Sequence, residues 1–424
     1  MRQQTTDEDK GRVLSSYLEA GNEAASQRDA LIQKICNIVV SECNAVLGDR
    51  VIALILTGSA ARAEATIVNS GDCWKVLGDV EFLAVTKFES ERRDSASTEA
   101  VKRDSSQKLR SLGIEVAVDL GLVDISYLKS LPPHIFSYEL CSCGRVVSGD
   151  PSVLQLIPQF SARDISREDA WRLLCNRMIE QLRFVDDLER SPGCLTLRLH
   201  YATVKLYLDM ATSYLVFVKN YASSYRERSQ NLAVLAEKSG AEVLFPLKEF
   251  SARVAECTSW KISGEDANFN CSVGLWKEAI SYLRRLWRWE AMQLVDATGD
   301  PSDAELWRLL ARQLTLRQRL RGWASLTKRS GWLKSWRHWP RWLKLSVRAT
   351  PRYWIYRAGM EIAFNLPDLI ATRPGRTKPA LDYLRIASTL PAGKADIKMD
   401  EEAWRPLAGE IVASYWKYLA GTRA

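Results

Sequence analysis

The chain has 424 residues, of which 59 are Lys or Arg and 51 are Asp or Glu, for a formal net charge of +8. With 46% apolar and 26% charged residues, disordered and fibrous classes are excluded, and the length suits two or three domains with a sizeable core. The charge is uneven: Leu306 to Met360 contains no Asp or Glu but 14 Lys and Arg, so the rest of the chain is net acidic.

The N-terminus, Met1 to Lys10, is polar and mixed in charge, unlike a secretory signal. From about Asp7 to Leu47 the pattern predicts helix: Leu14, Tyr17 and Leu18, then Leu31, Ile35, Ile38 and Val39, recur at helical spacing. Gly48 and Asp49 mark a turn, and Val51 to Leu56 is a continuous apolar run suited to an interior strand. Gly58-Ser59 ends that strand, Ala60 to Ala65 reads as a helix start, and a polar loop follows at Asn69, Ser70, Gly71 and Asp72. Val80, Phe82 and Ala84 alternate with Asp79, Glu81 and Leu83 as in a half-buried strand.

A charged helical stretch from Glu89 to Leu112 leads to a second alternating strand. There Ile114, Val116, Val118, Leu120 and Leu122 share one face, and Glu115, Ala117, Asp119 and Gly121 the other. Gly144 to Asp150 reads as a short last strand. After Pro151 the pattern changes to long helices, at about 167–189, 195–222, 231–238, 247–258, 275–298 and 304–320.

No run of about 18 apolar residues stands out as a membrane span; Ala202 to Val218 carries Lys205 and Asp209 and reads as a buried helix. The nine Cys show no paired metal-ligand spacing and read as reduced thiols of a cytosolic protein. His134, His200 and His338 are too separated for a metal site. The expected architecture is α+β: a small mixed sheet preceded by N-terminal helices and followed by a large all-helical region. Its expected segments are 1–48, 49–150, 151–305 and 306–424.

Three features carry chemistry. Gly58-Ser59 lies between a buried strand and an expected helix, where glycine allows close backbone approach to a phosphate and the helix start offers free N–H donors. Asp79 and Glu81, two apart on a strand, project from one face, where a cation such as Mg²⁺ relieves their repulsion. Asp119 and Glu115 share a face of the next strand, either of them able to complete a three-carboxylate cluster. Taken singly, each feature also fits an ordinary turn or a solvated strand face.

Together, the runs Leu56-Thr-Gly-Ser-Ala-Ala-Arg-Ala-Glu64 and Gly78-Asp-Val-Glu-Phe-Leu-Ala-Val85 resemble the nucleotidyltransferase superfamily that includes DNA polymerase beta and kanamycin nucleotidyltransferase. The resemblance covers roughly residues 50 to 150. It implies that Gly58 and Ser59 cradle the triphosphate of an NTP such as ATP, with Arg62 within reach of it. It also implies that Asp79, Glu81 and a third acid, Asp119 or Glu115, hold two Mg²⁺ ions. The implied activity is transfer of a nucleoside monophosphate to a hydroxyl of a small molecule, glycan or protein. RNA tailing and a catalytically silent, antitoxin-like protein are the alternatives. The Arg-x4–6-His motif of helical RNases is absent from the sequence.

The acid-free segment also holds seven of the fifteen Trp. Trp332, Trp336, Trp339 and Leu343 fall on one helical face beside Lys334, Arg337, Arg341, Lys344 and Arg348, with Pro340 near a helix start. Three readings suit it: a membrane surface, a single-stranded or other anionic polymer, or helical core with a basic rim. The expected location is cytoplasmic, with peripheral membrane association under the first reading.

Overall fold

The structure, a computed structural model, describes residues 7–69, 71, 73–87, 92–190, 193–238, 246–264, 272–330, 338–371, 380–391 and 403–419. Trp332, Trp336, Lys334, Arg337, Ser70 and Asp72, singled out above, lie outside the described residues, as do the side chains of Leu14, Tyr17, Leu18 and Arg329. The protein is α+β and divides into two compact units, one comprising residues 1–164 with 259–267 and the other residues 165–258 with 268–424.

The first unit is built on five strands: β1 (Val51–Thr57), β2 (Thr66–Asn69), β3 (Trp74–Thr86), β4 (Ile114–Asp124) and β5 (Arg145–Gly149). β3 is the centre. β1 pairs antiparallel with its second half and β2 with its first half, β4 runs parallel along its other side, and β5 closes on β1. Helices cover both faces, which explains why β1 is apolar from Val51 to Leu56. Leu54 and Leu56 join the core under α1 (Asp7–Leu47), which contributes Ile35 and Val39. Ala53 and Ile55 pack on the opposite side with Leu128 and Leu140. Val101 and Leu109 bring a further helix, Arg92–Ser111, onto the α1 side of the sheet.

One stretch, Ser26–Arg50, is long and apolar enough by composition to cross a membrane. In this fold its Leu31, Ile32, Ile35 and Val39 are buried in the sheet's core. The thiols of Cys36 and Cys43 on α1 are also buried, and burial pushes them up to about 11 and about 12, so both stay protonated and unreactive at neutral pH.

A segment distant in sequence completes this unit. Lys261 is fully buried; its Nζ donates to Thr66 Oγ1 at 2.9 Å and to the Glu64 carbonyl at 3.2 Å, while Thr66 Oγ1 is 2.8 Å from the Lys261 carbonyl. Gly264, at φ +69°, lies so close to β2 that a Cβ would stand 2.4 Å from the Ile67 carbonyl oxygen. Arg28 on α1 reaches the Ile262 carbonyl at 2.6 Å. These contacts tie residues 261–264 to β2 and α1.

The second unit is built of helices, with one isolated antiparallel bridge between Cys194 and Ser272, among its described residues. Its core is strongly aromatic: Trp171 lies 5.5 Å from Tyr353, 6.0 Å from Tyr356 and 6.5 Å from Trp287 between ring centroids, and Trp307 lies 5.2 Å from Tyr353. Trp307, Trp323, Trp342 and Trp354, four of the tryptophans in the acid-free segment, are buried here. Three of these indole N–H groups donate to backbone carbonyls: Trp323 to Ala349 at 2.9 Å, Trp342 to Pro391 at 2.8 Å and Trp354 to Leu345 at 3.1 Å. For these residues the core reading holds. The expected single helix over 304–320 is two, Asp303–Gln313 and Leu316–Ser330, and Pro340 sits in the first turn of Trp339–Ser346.

Candidate active site

Thr57, the last residue of β1, pairs in register with Glu81 on β3 and donates through Oγ1 to the Glu81 carbonyl at 3.4 Å. The chain turns at once, at Gly58, with φ +66°. The turn lies directly against the acid: a Cβ on Gly58 would stand 2.5 Å from Glu81 Oε2. Glycine is required here both by its left-handed backbone and by the space it leaves. Ser59 follows, half-buried, and its hydroxyl has no hydrogen-bond partner among the described residues.

The helix expected from Ala60 to Ala65 is a single turn, α2 (Gly58–Ala61), followed by Ala63 at φ +56° and by β2. One turn aligns too few peptide dipoles to make an anion site by itself. Any phosphate binding here must therefore rest on the close backbone approach at Gly58 and on the Ser59 hydroxyl.

Asp79 and Glu81 are exposed and flank buried Val80, so both carboxylates leave one face of β3. Across the parallel ladder Glu81 stands in register with Asp119 on β4, also exposed. Directly opposed residues on adjacent strands point to the same face, about 5 Å apart. Glu115 is separated from this group by an irregularity in β3. Between Lys75 and Asp79 the strand spends four residues while β4 advances only from Glu115 to Ala117, and Gly78 within that stretch has φ +90°. Glu115 is left opposite Lys75, with which it forms an ion pair at 2.8 Å. Of the two acids left open by the sequence, Asp119 is the one placed opposite the Asp79–Glu81 pair.

Asp119 already has a cation. Lys102, on the helix Arg92–Ser111 (α3), places Nζ 2.8 Å from Asp119 Oδ1 and 3.1 Å from Glu99 Oε1. Burial opposes the charge on Lys102, yet these two carboxylates hold its pKa above the ordinary value. Among the described residues no three His, Cys, Asp or Glu side chains are gathered closely enough to hold a metal ion. Asp79, Glu81 and Asp119 share a face but do not form a closed cage.

Arg62, which the resemblance puts within reach of the triphosphate, is paired in this structure with two carboxylates. Its side chain is almost wholly enclosed, with Nε 3.0 Å from Glu64 Oε2 and a terminal nitrogen 2.7 Å from Glu139 Oε2 on α5 (Ile135–Cys143; the intervening α4 is Ile125–Lys129). A guanidinium held between two carboxylates braces the turn after Gly58. Lys102, Glu139 and Lys261 are the residues that sequence reasoning did not single out. No local spacing betrays them, because their partners lie 17, 77 and 195 residues away.

The chain matches no family model and no curated protein. Among solved structures it is similar to the spectinomycin adenyltransferase AAD(9) from Enterococcus faecialis with ATP and spectinomycin. The identity is 13% and the TM-score 0.35, with 60% of this chain and 98% of that chain covered.

Proposed function

We propose that this protein is a nucleotidyltransferase, moving a nucleoside monophosphate from an NTP such as ATP to a hydroxyl of a small molecule, glycan or protein. The observation that carries the reading is Glu81 in register with Asp119, with Asp79 on the same face and the Gly58 turn against Glu81. Phosphoryl and nucleotidyl transfer depend mostly on positioning and on neutralising negative charge. The Gly58 turn supports the positioning, and the carboxylates are donors for a cation that would supply the neutralisation.

In the proposed reaction the acceptor oxygen forms a bond to the α-phosphorus, the bond from that phosphorus to the β-phosphate bridging oxygen breaks, and pyrophosphate leaves. Gly58 lets the phosphate chain lie against the backbone, and the Ser59 hydroxyl donates to a phosphate oxygen. Asp119 accepts the proton of the acceptor hydroxyl after its carboxylate is released from Lys102. The Arg62–Glu64–Glu139 cluster holds the turn in place.

Three exposed carboxylates on one face are hard oxygen donors, the set that Mg²⁺ takes up together with phosphate oxygens and water. Asp79, Glu81 and Asp119 would hold it once their side chains turn in to meet it, since in this structure they are not gathered closely enough. When bound, Mg²⁺ supplies charge neutralisation on the phosphates and acidification of the acceptor hydroxyl.

The test follows label from an α-phosphate-labelled NTP into a panel of hydroxyl-bearing small molecules, glycans and proteins. Wild type is compared with Asp79→Asn plus Glu81→Gln. Labelling that the double variant retains would sink the assignment. The ion pair between Lys102 and Asp119 favours one second reading, a nucleotide-binding protein without turnover. It requires an Mg²⁺-dependent rise in melting temperature with NTP and no pyrophosphate release.

A further inference from the structure

The basic segment buries its described tryptophans except Trp339, yet it leaves aliphatic side chains in solvent. Leu316 is 60% exposed, Leu320 55%, Leu343 69% and Val347 69%. These form two i, i+4 pairs, one on the helix Leu316–Ser330 and one on Trp339–Ser346 and the residue after it.

The two helices pack antiparallel. Trp323 meets Trp342 at 5.7 Å between ring centroids, and Arg319, one turn before Trp323, donates to the carbonyl of Val347, beyond Trp342. At 3.6 residues per turn, Leu316 and Leu320 lie about 20° and about 60° round their helix from Trp323, and Leu343 and Val347 about 100° and about 140° round theirs from Trp342. In an antiparallel pair, rotations of the same sense open to the same side. The four aliphatic side chains therefore open to the same side of the helix pair, Leu316 nearest its seam and Val347 farthest from it, and all four are exposed.

Basic residues flank them. Arg317, Arg321, Lys328, Lys344 and Arg348 are exposed, none makes an ion pair among the described residues, and the segment has no acid to neutralise them. An apolar strip between unpaired cations complements one surface closely: anionic headgroups for the cations, with the acyl boundary beneath for the aliphatic side chains. Nucleic acid would take the cations but offers nothing to four aliphatic side chains, since stacking on bases calls for aromatic rings. The aromatic rings described here are largely turned inward.

We infer that the antiparallel helices Leu316–Ser330 and Trp339–Ser346, with Val347, dock on an anionic phospholipid surface, inserting Leu316, Leu320, Leu343 and Val347 between flanking Arg and Lys contacts. This is independent of the reading of the acidic sheet face, which lies in the other compact unit.

The experiment sediments the full chain with phosphatidylcholine vesicles, with and without phosphatidylglycerol, at low and high salt. Wild type is expected to pellet with the anionic vesicles only, and less at high salt. Leu320→Ser plus Leu343→Ser should lower the partition at least tenfold with an unchanged thermal melt, because both residues are exposed. Arg317→Glu plus Lys344→Glu should lower it by about fivefold or more for each cation removed. Equal pelleting with neutral vesicles, no pelleting at all, or binding unaffected by the leucine variant would overturn the inference. So would retention of single-stranded RNA without vesicle binding, or self-association in lipid-free buffer that the leucine variant abolishes.

Discussion

Gly58 and Glu81 fit each other with no room to spare: a Cβ on the glycine would stand only 2.5 Å from Glu81 Oε2. Ala at position 58 must adopt a left-handed backbone, costing about 1–2 kcal/mol, and the atom it meets is the mobile end of a side chain. The carboxylate moves rather than the sheet. Gly58→Ala is expected to lower stability only by that modest amount, read by thermal melting, while reducing nucleotidyl transfer by far more than the melt suggests.

Arg62 should behave in the opposite way. Its guanidinium is enclosed between Glu64 and Glu139, so Arg62→Ala leaves two carboxylates without their shared cation. Removing one partner of a buried ion pair costs about 3–5 kcal/mol. Chemical denaturation should show that loss, and Arg62→Lys should recover only part of it, since one ammonium cannot reproduce the two-sided contact. A variant with unchanged stability but a raised KM for NTP would instead put Arg62 on the triphosphate.

Lys102 neutralises Asp119, and in the proposed reaction that contact must open. The pair is partly exposed, so Lys102→Met should cost under about 1 kcal/mol in stability. Freed of its competitor, the carboxylate should require a several-fold lower Mg²⁺ concentration for half-maximal activity. A magnesium titration of wild type against Lys102→Met reads the shift directly. A higher Mg²⁺ requirement in the variant would contradict the competition.

Local pattern made the strands legible because each strand's burial is local in origin. β1 is apolar from Val51 to Leu56 since both its faces are covered, and β4 alternates since one of its faces is not. The Asp79–Glu81 pair could be read for the same reason. What escaped depends on distant partners or on backbone detail. β2 is only four residues long, and Thr66 within it is held by Lys261. The choice between Asp119 and Glu115 turns on an irregularity near Gly78 that shifts the register, which alternation alone cannot show. The tryptophans of the basic segment resemble a surface feature in sequence, but the acceptors of Trp323 and Trp342 lie 26 and 49 residues further on.

In the helical unit, burial depresses His200 from its ordinary value of 6.5 to about 4. Between those values the unfolded chain takes up a proton that the native state resists. The stabilising difference is therefore complete above pH 6.5 and is lost as pH falls toward 4. Equilibrium unfolding of wild type minus His200→Gln, followed from neutral to acid pH, should show that decline. A flat difference would mean that His200 protonates as readily in the fold as outside it.

The central claim is that Asp119, opposite Glu81, completes the acidic face, while Glu115 is a bystander paired with Lys75. The most direct measurement compares transfer from α-labelled NTP by Asp119→Asn and Glu115→Gln, at saturating Mg²⁺ and with matched thermal melts. Asp119→Asn is expected to lose at least about a hundredfold, the ordinary weight of a positioned proton acceptor, and Glu115→Gln to keep near wild-type transfer. Equal rates in the two variants, or a loss confined to Glu115→Gln, would contradict it.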